Sequence, residues 1–221
     1  MRTIDNYIVD QLWRIKSLSY LLQVQKNYPD ITLYIFGGVM RDIYNSYYNK
    51  TTEINDVDVF IDQRKMPGLD IKSLEPQIKL DNIDFFTTNN NFLKIESSNT
   101  ILDYCNSADF SINSCYYNLK NGEVKYNHRF LSDIKNKVIR LLFEGNSCKN
   151  NLDGNIKLFC SYIKLRDKLG FKAENLTELT FDLNYKKYLK KSKRILDYCN
   201  FKNYSSELTQ NIIHEIYTKD E

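Results

Sequence analysis

The feature that most constrains this chain is segment 34–42, YIFGGVMRD, in which an apolar run ends at the adjacent glycines Gly37 and Gly38. The pattern predicts a buried strand that turns at the glycines into a helix. Further along, segment 56–60 reads DVDVF, so one residue separates Asp56 from Asp58. Because side chains alternate along a strand, a strand at this place would direct both carboxylates to one face of a sheet.

Each segment has chemistry of its own. A diglycine turn brings backbone N–H groups close to a bound phosphate, and the N-terminus of the following helix favours negative charge. Two carboxylates on one strand face repel each other, an arrangement commonly offset by a divalent cation. Taken separately, the first pattern is more often an ordinary tight turn and the second a solvated strand edge. Together they predict a site for a nucleoside triphosphate with magnesium.

The order and spacing of Gly-Gly-x-x-Arg-Asp and Asp-x-Asp resemble the head domain of class II tRNA nucleotidyltransferases and bacterial poly(A) polymerases. These enzymes belong to the DNA polymerase β nucleotidyltransferase superfamily, and the likeness extends over about residues 33–172. It implies an α+β fold: a polymerase β-like head, with a mixed or antiparallel sheet flanked by helices, followed by a small helical C-terminal domain. The corresponding domains would be a nucleotidyltransferase head over 1–150 and a neck-like domain over 151–221.

The same resemblance implies roles for particular residues. Asp56 and Asp58 would be catalytic metal ligands, and Gly37 and Gly38 would hold phosphates through backbone N–H groups. Arg41, in the first turn of the helix, could reach a phosphate.

A third carboxylate on a neighbouring strand completes the site in polymerase β-like enzymes. Segment 83–88, IDFFTT, is similar to the family's strand that carries an acidic residue before a Thr-rich end, which makes Asp84 the candidate. Glu96 is a poorer rival. An exposed position on an edge strand is the alternative interpretation of Asp84.

Segment 108–113, ADFSIN, resembles the family's Arg-Arg-Asp-Phe-Thr-Ile-Asn motif, which contributes to nucleotide binding. Asp109 and Asn113 are retained, whereas Ser107 and Ala108 stand where the family has two arginines. The lost cations would have neutralised triphosphate charge or held the sugar. Asp109 and Asn113 are therefore candidate nucleotide-binding residues, with capping or bracing of the fold as the alternative.

Segment 153–157, DGNIK, falls where the family has Glu-Asp-x-x-Arg, whose acidic residue and arginine contact the base edges of the incoming nucleotide. Asp153 and Lys157 are the matching candidates. Lysine lacks the planar fork of arginine, so two-pronged base recognition is weakened here. Segment 169–171, LGF, then matches the family's Leu-Gly-Phe ending.

Composition narrows the function classes. The chain has 221 residues, a hydrophobic content of 42% and a formal net charge of +3, which is too small to prove nucleic-acid binding. No signal pattern or membrane-length apolar run is evident, so a cytoplasmic protein without membrane contact is expected. The five cysteines are odd in number and form no Cys-x-x-Cys pair, and there are only two histidines. These counts argue for reduced thiols and against a disulfide framework, a zinc site or a serine-type triad.

A basic stretch with interleaved tyrosines stands out near the C-terminus. It is either a solvated helix face or a surface that follows a phosphate backbone and offers aromatic rings for stacking. Its cations are Lys186, Lys187, Lys190, Lys191, Lys193 and Arg194.

Local patterns also predict the order of elements. We expect one amphipathic helix over 5–28, a strand over 32–36, a helix over about 39–47 and β-like runs over 83–87 and 92–96. An Asn121-Gly122 turn, a short strand over 138–142 and a helix from 155 that stops at Gly170 follow. Two or three short helices are expected after 176.

The leading hypothesis is a metal-dependent nucleotidyltransferase that uses Mg²⁺ or Mn²⁺ and a nucleoside triphosphate. A hydroxyl at an RNA or tRNA-like 3′ end would attack the α-phosphate in line and release pyrophosphate. One alternative is transfer to a protein or small molecule. The other is a catalytically degenerate RNA-binding or scaffold protein, favoured by the missing arginines. Family members grip tRNA with longer chains, so a homodimer or another partner would have to supply the missing surface.

Overall fold

The computed structural model describes residues 4–15, 17–50, 54, 56–62, 64–66, 68–70, 74, 82–87, 101, 108–142, 152–174 and 193–218. The chain divides into two compact units, Met1–Asn136 and Lys137–Glu221. Residues 138–140 belong to the second unit because they pair with strand residues 172–174. The functional division into a head over 1–150 and a neck over 151–221 stays a prediction.

In its described residues, the first unit combines helices with one five-stranded sheet. In chain order its elements are α1 (Ile4–Leu12), α2 (Leu18–Asn27), β1 (Thr32–Phe36), α3 (Gly38–Asn49), β2 (Asp56–Asp62), β3 (Asn82–Thr87), a 3-10 turn (Ser111–Asn113), β4 (Cys115–Asn118), β5 (Val124–Tyr126) and α4 (Phe130–Asn136). The predicted strand over 32–36 and the helix that follows the glycines are confirmed. So is the strand over 83–87.

The sheet is mixed, with the strand order β3-β2-β1-β4-β5. β1 runs antiparallel to both of its neighbours, β2 and β4, and β4 runs antiparallel to β5. The pairing of β2 with β3 is parallel. This arrangement confirms the expected mixed sheet flanked by helices.

The two faces of the sheet differ in chemistry. Leu33 and Ile35 are register partners of Ile61 and Val59, and all four are fully buried aliphatic residues. The alternate positions carry large aromatic side chains that cluster together: Phe36, Phe60 and Tyr116, with Tyr34 packed against them. Asp58 is the register partner of Phe36. It therefore lies on the same face as these aromatic residues, at the end of the sheet where β1 turns into α3.

The prediction of a single helix over 5–28 is wrong, because α1 ends at Leu12 and α2 begins at Leu18. Between them the backbone is held by i→i−3 hydrogen bonds from Ile15 N to Leu12 O and from Leu18 N to Ile15 O. Such bonds tighten the turn to about three residues. The apolar residues Leu12, Ile15 and Leu18, all buried, follow that spacing of three.

The predicted Asn121-Gly122 turn is confirmed as the connection between β4 and β5. Gly122 has φ +73°, a backbone conformation that favours glycine. Upstream of it, residues 111–113 of segment 108–113 form the 3-10 turn.

The part of the second unit that the structure describes contains a long helix, a small sheet and two further helices. Its elements are β6 (Val138–Arg140), α5 (Leu152–Leu169), β7 (Lys172–Glu174), α6 (Arg194–Phe201) and α7 (Ser206–Thr218), with β6 and β7 parallel. The buried stripe of α5 includes Ile156, Cys160 and Ile163. The helix stops where predicted, at Gly170, whose φ is +64°.

Other expectations fall partly outside the described part of the chain. The predicted strand over 92–96 and Glu96 lie outside it. Within it, Cys115, Cys160 and Cys199 are buried free thiols, as expected of reduced cysteines. No helix among the described residues is both long enough and apolar enough to cross a membrane.

Candidate active site

The two glycines form the junction between β1 and α3. Gly37 has φ +70° and ψ −126°, and Gly38 is the first residue of the helix. The Gly37 N–H donates to the carbonyl oxygen of Cys115 on β4, so this group holds the turn against the sheet instead of facing a ligand as expected. Helix geometry leaves the N–H groups of Gly38, Val39 and Met40 without intrahelical acceptors.

Asp58 lies beside this turn. A Cβ built at Gly37 would be 3.4 Å from Oδ2 of Asp58, whose side chain is half-buried. Asp58 is also the register partner of Asp84 on the parallel strand β3, and Asp56 lies two residues earlier on β2. The pairing therefore places positions 56, 58 and 84 on one face of the sheet, next to the N-terminus of α3.

Arg41 is buried in the first turn of α3, with 7% of its surface exposed. Its Nε donates to Oδ1 of Asp42 at 2.7 Å, and its Nη1 donates to Oδ1 of Asn113 at 2.8 Å. The guanidinium lies against Gly38: a Cβ built there would be 3.5 Å from Nη2. The site thus joins the Gly-Gly-x-x-Arg-Asp segment to segment 108–113, which the sequence had singled out separately.

Segment 108–113 is anchored on its other side by α4. The Ser111 hydroxyl donates to Oδ2 of Asp133 at 2.5 Å, and both side chains are buried. Ala108 is buried, and Asp109 is half-buried. The turn is consequently fixed to two helices, to α3 through Asn113 and to α4 through Ser111.

In sequence, the chain matches no protein-family model and no curated protein. Its fold does match solved structures. A CCA-adding enzyme in its apo form I is 17% identical with a TM-score of 0.64, and the match covers 99% of this chain and 54% of that one. A tRNA nucleotidyltransferase complexed with a primer tRNA and an incoming ATP analog is 21% identical with a TM-score of 0.58, covering 90% of this chain and 60% of that one.

A third such structure is the Thermotoga maritima CCA-adding enzyme complexed with tRNA, 18% identical with a TM-score of 0.56. It is matched over 98% of this chain and 50% of its own length. The chain has the nucleotidyltransferase fold. It spans between half and three fifths of the length of the three solved structures.

The remaining candidates lie in the second unit. Asp153 and Lys157 are on α5, and Lys157 is exposed. Of the basic stretch, Lys193 and Arg194 are exposed at the start of α6, whereas the four lysines from Lys186 to Lys191 lie outside the described residues. Roles for these residues stay predictions.

Two features of the site were not found from sequence. Asp42 was not predicted to contact Arg41, yet the two side chains form an ion pair. Asp133 was not singled out at all. Neither contact could be predicted from the local sequence. Neighbouring residues on a helix, such as Arg41 and Asp42, do not normally face each other, and Asp133 is far from Ser111 in sequence.

Carboxylate oxygens are the ligands that Mg²⁺ prefers, and positions 56, 58 and 84 supply three such residues on one sheet face. This donor set fits a divalent cation. Among the side chains that the structure describes, no group of three or more His, Cys, Asp or Glu residues could hold a metal ion. Asp56 and Asp84 are not among these side chains, because only their backbone is described.

Proposed function

We propose that this protein is a metal-dependent nucleotidyltransferase that transfers a nucleoside monophosphate from a triphosphate to a hydroxyl, with an RNA 3′ end as acceptor. The observation that carries the proposal is the register of Asp58 with Asp84 beside the Gly37–Gly38 turn. This register supports the proposal because positions 56, 58 and 84 lie on one sheet face next to the N-terminus of α3, where carboxylates would hold a cation and helix N–H donors a phosphate. The solved structures of the same fold, described as complexes with tRNA, CTP or an ATP analog, support the choice of substrates.

In the proposed reaction an acceptor hydroxyl attacks the α-phosphorus, a new P–O bond forms and pyrophosphate leaves. Asp56, Asp58 and Asp84 would hold Mg²⁺ or Mn²⁺, which when bound lowers the pKa of the attacking hydroxyl and stabilises the leaving oxygen. The N-terminus of α3 would bind and orient the triphosphate. Asp109 is proposed to contact the nucleotide, and Asp153 and Lys157 its base.

For the acceptor, the exposed Lys193 and Arg194, together with the rest of the basic stretch, are proposed to follow an RNA backbone. A homodimer would extend that surface. We also propose that the protein acts in the cytoplasm.

The experiment is incubation with each α-labelled nucleoside triphosphate, magnesium and total RNA, comparing wild type with Asp58→Asn. Asp62→Asn is the matched control, because it makes the same change on the same strand at the end far from the glycine turn. Label in RNA that is lost in Asp58→Asn and kept in Asp62→Asn would support the proposal.

Other outcomes point to the alternatives. Label on protein or on a small molecule would redirect the acceptor assignment. No label, from folded protein that still retains RNA on a filter, would favour a non-catalytic RNA-binding module. Ala108, buried where the family it resembles has an arginine, is the observation that favours this second reading.

A further inference from the structure

The guanidinium of Arg41 is held by two acceptors from different parts of the chain. Asp42, the next residue on α3, accepts from Nε, and Asn113, from the 3-10 turn, accepts from Nη1. Two contacts at two nitrogens of a planar group fix both its position and the orientation of its plane. Arg41 is thus locked in one orientation although its side chain is long.

The third nitrogen, Nη2, takes part in neither bond and lies nearest to the glycine turn. It would be 3.5 Å from a Cβ at Gly38, closer than Nη1 at 3.8 Å. Gly38 opens a helix of twelve residues, and the first N–H groups of a helix lack intrahelical acceptors. Donors from the Arg41 side chain and from the helix end therefore meet at the same turn.

We propose that Asp42 and Asn113 are positioning residues, which orient Arg41 so that its Nη2 donates to a phosphate bound at the Gly37–Gly38 turn. This inference rests on the proposed nucleotide site. It gives Asn113 a different role from the direct nucleotide contact that its motif suggested. Ser107 and Ala108 stand in place of two arginines, and Arg41 is a cation that lies at this turn within the described part of the chain.

The ion pair with Asp42 also determines how Arg41 contributes to phosphate binding. A carboxylate 2.7 Å from Nε offsets most of the charge of the guanidinium, so long-range attraction of a triphosphate is small. The contribution is instead a hydrogen bond of fixed direction. Its strength depends on orientation, and loss of Asn113 should weaken phosphate binding even though the charge of Arg41 remains.

The test measures binding of two probes, inorganic tripolyphosphate and ATP with magnesium, by titration calorimetry of the full chain. Asn113→Ala and Arg41→Ala should each weaken binding about tenfold, the size of one hydrogen bond to a charged group. If Asn113 acts through Arg41, the double variant should bind no more weakly than Arg41→Ala alone. In the transfer reaction Asn113→Ala should raise KM for the nucleotide more than it lowers kcat.

Asn118→Ala is the matched control. Asn118 is a largely buried asparagine of β4, and its Oδ1 accepts a single hydrogen bond, from Lys120 N at 2.8 Å. Its removal should leave both affinities unchanged. Asn113→Ser, whose hydroxyl is too short to reach Arg41, is the second variant should Asn113→Ala fail to fold, with the same expected loss.

Two results would overturn the inference while leaving the proposed function intact. The first is a folded Asn113 variant with wild-type affinity for both probes. The second is a full additional tenfold loss in the double variant, which would mean that Asn113 contacts the nucleotide itself. Failure of the wild-type protein to bind either probe would instead overturn the proposed nucleotide site, and the inference with it.

Discussion

The side-chain direction of Gly37 faces the carboxylate of Asp58: a Cβ built on this glycine would lie 3.4 Å from Oδ2. The turn that opens α3 and Asp58 on β2 are therefore close neighbours. Gly37 has φ +70°, a backbone conformation that favours glycine, whereas a Cβ at this position would make only ordinary contact with the Asp58 carboxylate.

Gly37→Ala and Gly38→Ala should consequently fail in different ways. Alanine at Gly37 must adopt a positive φ, which should lower the free energy of unfolding by about 1–2 kcal/mol. Gly38 is helical, and a Cβ there would make ordinary contact with Arg41, so stability should change by less than about 1 kcal/mol. The methyl group of Gly38→Ala would nevertheless lie 3.5 Å from Nη2 of Arg41, in the space proposed for the phosphate, and should weaken binding of ATP with magnesium several-fold.

Urea denaturation and nucleotide titration of the two variants separate these effects. Each variant is the control of the other, because both add one methyl group to the same turn. Equal stability of the two proteins would contradict the conformational argument. Unchanged nucleotide affinity in Gly38→Ala would contradict the placement of the phosphate.

The local elements of the site could be predicted because their signals are local. An apolar run that ends at two glycines specifies β1 and the start of α3, and Asp56 and Asp58 lie on one strand as expected. Asp84 was chosen from a resemblance, and the register then placed it opposite Asp58. Its role as a ligand stays a prediction.

What could not be predicted depends on contacts between distant residues. The bond from Arg41 to Asn113 joins residues 72 positions apart, and only the folded sheet brings them together. The break between α1 and α2 was missed for another reason. Apolar residues at spacings of three and four suit one continuous helix, and three of them at a spacing of three also suit the tighter turn found here.

Neutralising a carboxylate of the site should raise stability while it removes activity. Positions 58 and 84 are register partners on neighbouring strands, and like charges in directly paired positions destabilise a sheet. Without divalent cations, Asp58→Asn should therefore unfold at the same or a higher urea concentration than wild type. Magnesium should stabilise wild type more than the variant. A less stable Asp58→Asn protein in metal-free buffer would mean that this carboxylate has a structural role.

The Arg64 side chain should contribute stability that depends on pH. Burial raises the pKa of Asp62, whereas the hydrogen bonds from Arg64 lower it. The net effect is a pKa below the ordinary value of 3.8. A carboxyl with a depressed folded-state pKa stabilises the protein above its unfolded pKa, and this contribution is lost as the pH falls through the folded value. Because Arg64 is half-exposed, Arg64→Ala should cost only about 0.5 kcal/mol at pH 7.

Urea denaturation of wild type and Arg64→Ala between pH 7 and pH 3 tests this. The difference in unfolding free energy should shrink towards the acid end of the range. Lys65→Ala, at the neighbouring exposed cation, is the control and should show a smaller effect. A difference that grows as the pH falls would contradict the sign of the shift.

The thiol of Cys160 should resist alkylation until the protein unfolds. Burial and the neighbouring Cys199 raise its pKa to about 12, so at pH 8 only about one thiol in ten thousand is the reactive thiolate. Cys160 is also fully buried. With iodoacetamide at pH 8, peptide mapping by mass spectrometry should find Cys160 unmodified in native protein, whereas all five cysteines should react in urea. Equal rates of Cys160 modification with and without urea would show that the second unit opens freely in solution.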